Sequence, residues 1–90
     1  MSVEEFSRNN VDVCFMFRGH TVCKFRFREG VCSTDPKIER SHQWDFDFKE
    51  PNMPSWNFED FMLFTSWLNQ CAVYAQMPYT VDQPKDIEID

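Results

Sequence analysis

The stretch VDVCFMFRGHTVCKFRFR, residues 11–28, decides how this chain folds. In its first half Val11, Val13, Phe15 and Phe17 alternate with Asp12, Cys14, Met16 and Arg18. In its second half Cys23, Phe25 and Phe27 alternate with Lys24, Arg26 and Arg28. Period-two alternation of β-branched and aromatic residues with polar ones marks a half-buried strand, and Gly19 marks the turn between two of them. Parity constrains the register. A two-residue Gly19-His20 loop would pair Arg18 with Thr21 and put Phe25 and Phe27 on the face of Cys14 and Met16, because a slip of one residue turns a strand over. A three-residue Gly19-His20-Thr21 loop pairs Arg18 with Val22 and Phe15 with Phe25, and gathers the aromatics on one face. An odd-length loop is therefore expected.

The same stretch raises a functional question, since rings interleaved with cations are what a single-stranded nucleic acid is held by. The next strand answers it. SHQWDFDFK (41–49) sets His42, Trp44, Phe46 and Phe48 inward and Gln43, Asp45, Asp47 and Lys49 outward. As an antiparallel neighbour of the second strand, it places Asp45 and Asp47 on the face of Lys24, Arg26 and Arg28, and opposite charges across strands attract. The cations are then matched within the sheet and the phenylalanines are core. The connection EGVCSTDPKIER is turn-rich around Asp35-Pro36, with Val31 and Ile38 placed to lengthen the flanking strands. Residues 1–10 read as a loose lead-in, with a short helical turn around Val3 to Ser7.

Two prolines in EPNMPS (50–55) stop the sheet, and WNFEDFMLFTSWLNQCAVYAQM (56–77) reads as a helix. Asn57 with Asp60, or Ser55, is placed to cap it, and Glu59 and Asp60 suit its positive end. Phe61, Phe64, Leu68, Cys71 and Ala75, flanked by Phe58, Leu63, Trp67, Ala72 and Tyr74, form a stripe wide enough to cover the sheet. Pro78 ends the helix. Residues 79–90 form an acidic tail in which Tyr79 to Val81 are placed for an edge strand and the last six residues fray. The expected fold is α+β: an antiparallel sheet of three or four strands with one long helix on its aromatic face.

A chain of 90 residues, 42% apolar and 17% aromatic, makes a single domain and is too apolar for disorder. Its net charge of −6 is unevenly placed: residues 1–49 carry eight acids and eight bases, residues 50–90 seven acids and Lys85 alone. The second half should repel nucleic acid and anionic lipid and attract basic surfaces. No apolar run approaches the roughly 18 residues of a membrane span, and the acidic, polar N-terminus is unlike a secretory signal. A cytoplasmic location with reduced thiols is expected.

Chemical motifs are sparse. Cys14 and Cys23 fall on opposite strand faces, a poor geometry for a disulfide. No C-x-x-C pair supports a metal site, and Cys23 and Cys71 suit core positions. Pairing Cys32 with His42 as nucleophile and base rests on arithmetic alone, and His42 reads as a hydrogen-bonded residue at the edge of the core. Asp45 and Asp47 share a face, as acid–base partners must, yet a core filled with rings leaves little room for a cleft. There is no glycine-rich phosphate loop. Neither catalysis nor a cofactor is expected. Met53, Trp56, Met62 and Val73 fall on the helix's polar side or in its entry loop, beside Glu50, Glu59 and Asp60, a mixture that suits a protein-binding patch.

In size, charge and pattern, though not in any motif, the chain resembles the small acidic inhibitors of bacteriophages and mobile elements, the anti-CRISPR, anti-restriction and DNA-mimic proteins. That resemblance implies a basic host partner, such as a nuclease or a CRISPR effector, bound in the host cytoplasm with its nucleic-acid site or assembly blocked. The balanced first half is less acidic than in a pure DNA mimic, so contact through a mixed aromatic and acidic patch fits better than a phosphate-like ladder. The expected contact residues are Asp45, Asp47, Glu50, Glu59, Asp60 and Asp82, with Trp56 and Met62 as apolar anchors. Two alternatives stand beside it: a structural homodimer paired through free sheet edges, and a nucleic-acid-binding module using Arg18, Lys24, Arg26, Arg28 and Arg40.

Overall fold

The computed structural model describes residues 3–33, 39–49, 55–77 and 80–90, and of residues 3–9, 31–33 and 39–41 the backbone alone. The Asp35-Pro36 turn, Ile38, Glu50, Met53, Tyr79 and the Cys32 side chain lie outside what is described. The order of elements is β1 (Val3–Phe17), β2 (His20–Ser33), β3 (Glu39–Phe48), α1 (Phe58–Gln76) and β4 (Ile87–Ile89). They form an α+β fold whose four strands lie in the order β3-β2-β1-β4, with β4 parallel to β1 and the other neighbours antiparallel.

The hairpin corrects the expected loop while keeping its purpose. Arg18 and Gly19 alone form the turn, with φ of 50° and 82°, the two positive angles of a type I′ connection that matches strand twist. A side chain at Arg18 sits uneasily there, but its guanidinium lies 5.1 Å from the Phe17 ring centroid and its N–H donates to the Ile89 carbonyl at 2.7 Å. Such an even turn would flip β2 over. The register slips instead between Met16↔Thr21 and Phe15↔Cys23, leaving Val22 as an extra, bulged residue. Parity is restored, so Val13 faces Phe25 and Val11 faces Phe27, two residues away from the pairing expected of a three-residue loop. Val22 and Cys23 are consecutive yet both buried, as a bulge allows. Deleting Val22 should therefore leave every other pair in register: the fold survives, weakened by about 1.5–3 kcal/mol of lost apolar burial, as a denaturant melt would read. A chain that fails to fold after the deletion would contradict this account of the bulge.

The remaining differences lie at the ends of the chain. β1 starts at Val3, so the lead-in is strand, neither loose nor helical, and two further register irregularities, between Glu5 and Arg8 and between Arg8 and Val11, interrupt it. The last residues do not fray: Ile87–Ile89 pair with Phe15–Phe17, while Val81 lies outside any strand.

Helix α1 opens on the expected Asn57 cap. The Asn57 side chain accepts from the Asp60 N–H (2.8 Å) and the Asp60 carboxylate accepts from the Asn57 N–H (3.1 Å), a reciprocal capping box. Phe64, Trp67, Cys71, Tyr74 and Ala75 are buried against Phe15, Phe25 and Phe27, which are fully buried. Phe15 is the hinge of the packing, with ring centroids 5.0 Å from Phe64, 5.8 Å from Trp67 and 5.7 Å from Trp56. Phe27 meets Tyr74 at 5.1 Å.

Candidate functional site

The expected carboxylates do not gather on one surface. Asp45 and Asp47 stand on the sheet's outer face opposite Arg26 and Lys24. Lys49 bonds Asp47 at 2.7 Å, and this hydrogen bond holds the Asp47 carboxyl below its usual range. Both side chains of that pair are about half exposed, so solvent screens it. Arg26 lies between Asp12 on one side and Asp45 on the other, and Arg28 Nη1 donates to the Val11 and Phe27 carbonyls at 3.1 and 3.0 Å. Arg28 is thus bonded within the sheet, while Lys24 and Arg26 stand opposite carboxylates in the strand register, Arg26 exposed. Across the core, Asp60 is occupied in the helix cap and Glu59 beside it is exposed. Asp82 is exposed elsewhere, next to Ser66, Asn69, Gln70, Val73 and Val81. Glu50 lies outside the described residues.

Of the two expected anchors, Trp56 belongs to the core. It is 8% exposed, with ring centroids 5.1 Å from Phe61, 5.3 Å from Phe64 and 5.4 Å from Phe17. The cause is local. Trp56 immediately precedes the Asn57 cap and Phe61 is the fourth helical residue, the two positions of a hydrophobic staple. Met62 is indeed exposed, at 56%. Beside it are three residues assigned by their spacing to the core stripe, Phe58, Phe61 and Leu63, which are 77%, 45% and 46% exposed. Five of the seven residues from Phe58 to Phe64 are apolar, so apolar groups encircle the first two turns, while a helix on a single sheet has one covered side. Phe58, Glu59, Met62 and Leu63 line a shallow recess there. The sequence carries a signal for it: Phe58 and Met62 are four apart, and the same helix face continues through Ser66 and Asn69, which are polar.

Nucleophilic and metal chemistry find no footing among the described residues. Burial pushes the Cys23 thiol up to about 11 and Cys71 up to about 12, and raises that of Cys14, helped by the nearby Asp86 carboxylate. Thiols held protonated at neutral pH are poor nucleophiles and poor metal ligands. His42 stacks on Phe27 with ring centroids 5.7 Å apart, and its Nε2 lies 3.6 Å from Oε1 of the buried Glu29. No group of three His, Cys, Asp or Glu converges among the described residues, and none of their helices is long and apolar enough to cross a membrane. Comparison with protein-family models, with curated proteins and with solved structures finds no match to this chain.

Proposed function

We propose that this chain is a non-enzymatic binding protein that inhibits a basic, nucleic-acid-processing partner, with the first two turns of α1 as its contact surface. One observation carries the reading: Phe58, Met62 and Leu63 stand in solvent at 77%, 56% and 46% exposure around the acidic Glu59. Large apolar side chains clustered on the surface commonly mark a protein contact, and aromatic residues and methionine are enriched at the centres of such contacts. A net charge of −6 steers such a surface toward a positively charged partner. Arg28, bonded to the Val11 and Phe27 carbonyls, and the carboxylates of Asp12 and Asp45 set opposite Arg26 weigh against direct nucleic-acid binding.

The test is affinity capture from a bacterial lysate, followed by titration of the captured protein with the wild type and with the double variant Phe58→Ser/Met62→Ser. The expected result is a basic nuclease or other nucleic-acid-processing protein whose activity falls on binding. Its affinity should drop at least about thirtyfold in the variant, as loss of a ~2 kcal/mol hot spot requires. Both positions are solvent-exposed, so the variant's melting curve should match the wild type. A captured protein that binds both chains equally, or whose activity is untouched, rules the reading out.

A further inference from the structure

The sheet ends on one side at β3, and among the described residues no strand pairs with its outer edge. Lys49 donates its N–H to the Val22 carbonyl at 2.8 Å, one step along from the Phe48↔Cys23 pair. Hydrogen-bonded and non-bonded pairs alternate in an antiparallel ladder. The odd-numbered residues of β3 therefore turn their backbone groups toward β2, and Trp44, Phe46 and Phe48 turn theirs to the edge. Their side chains form a stripe on the helix side of the sheet, with centroids 5.7 Å apart for Trp44 and Phe46 and 6.2 Å apart for Phe46 and Phe48. Trp44 and Phe48 are 48% and 59% exposed. On the other face, Asp45 and Asp47 already face Arg26 and Lys24, so the strand lacks the uncompensated charge that commonly blunts an edge.

We infer that two copies of this chain associate through β3, antiparallel and two-fold symmetric, in the register that sets Trp44 against Trp44 of the second copy. Charge selects this register over its neighbours, and a two-fold at Phe48, the last residue of β3, would leave most of the strand unpaired. A two-fold at Asp45 or at Asp47 opposes that aspartate to itself. A two-fold at Phe46 opposes Asp45 to Asp47 twice, and one at Gln43 opposes Asp47 to Glu39. Like charges directly opposite destabilise a ladder. With the two-fold at Trp44, Asp45 faces Gln43, Asp47 faces Ser41, and Phe46 faces His42. The backbone groups of Trp44 and Phe46 find partners, the two aromatic stripes meet, and the two sheets join into one with both helices on the same face. This contact is separate from the helix surface around Phe58, so either stands if the other fails.

Sedimentation velocity on the full chain across the micromolar range tests it, together with mild oxidation of two variants in a Cys14→Ser background. The expected species has twice the 10.8 kDa chain mass, and Trp44→Glu should weaken the association at least about tenfold while leaving the far-ultraviolet circular dichroism unchanged. Trp44→Cys should cross-link across the two-fold. Phe48→Cys, which lies far from its own copy in this register, should not. A monomer throughout that range, a dimer indifferent to Trp44→Glu, or a Phe48→Cys chain that cross-links as readily as Trp44→Cys would overturn the inference. Should Trp44→Glu fail to fold, the cysteine pair decides the matter alone.

Discussion

Trp67→Ala should cost about 3–5 kcal/mol of folding stability, the range for truncating a buried tryptophan. A domain of this length commands roughly 5–13 kcal/mol in all, so the variant loses a large share of its stability. Trp67 is 1% exposed. Its ring lies 5.8 Å from Phe15, 6.3 Å from Phe46 and 6.3 Å from Phe64, so it joins helix, central strand and edge strand at one point. Its indole N–H donates to the Lys85 carbonyl at 3.0 Å. Trp67→Phe keeps most of the ring and removes the donor. Its expected loss is about 1–2 kcal/mol, the net worth of one part-buried hydrogen bond together with the smaller ring. Chemical denaturation monitored by circular dichroism separates the two variants. A Trp67→Phe chain as stable as the wild type would mean that the hydrogen bond to Lys85 contributes nothing.

Ending the chain after Gln83 should have an effect nearly as large, about 3–5 kcal/mol. The removed residues include the buried Pro84 and the half-buried Ile87 and Ile89, the last two worth about 1 kcal/mol each. Besides the β1–β4 ladder, three hydrogen bonds go with them: Arg18 N–H to the Ile89 carbonyl (2.7 Å), Cys14 N–H to Asp86 Oδ1 (2.8 Å) and the indole bond to Lys85. Each is worth roughly 0.5–1.5 kcal/mol net. A frayed tail would instead leave the denaturation midpoint where it was, so this single truncation distinguishes the two descriptions of residues 84–90. Combined with Trp67→Phe, the losses should fall short of additivity by about 1 kcal/mol, because both variants delete the same Lys85 contact.

What could be read from the residues, and what could not, follows from the range of the forces involved. Alternation along 11–17 and 23–28 and the Asn57–Asp60 spacing are local signals, and the hairpin, the charge pairing of β2 with β3 and the helix cap were legible from them. β4 was not. Three residues, Ile87–Ile89, give no usable period, and their strand exists because Phe15–Phe17 offer a free edge at the other end of the chain. Val22 reads as outward-facing by simple parity, and only the bulge, itself a consequence of a two-residue turn, turns it inward. Trp56 shows a local rule overlooked: an apolar residue before an Asn cap with Phe61 at the fourth helical position is a staple, and its ring belongs inside. The reverse error put Phe58, Phe61 and Leu63 in the core, since a stripe count does not register that one sheet covers only one side of a helix.

The placement of β4 also sets when the domain can be finished during its synthesis. Cys14 and Asp86, bonded to each other, are 72 residues apart, and contacts of such long sequence separation slow folding. On the ribosome the hairpin and then the helix emerge while one flank of β1 still lacks its neighbour, and a nascent chain with an open strand edge and exposed rings is prone to aggregate. Completion waits for Ile89 to leave the exit tunnel. Slow emergence of residues 87–89 therefore prolongs an interval in which that edge of β1 stands open.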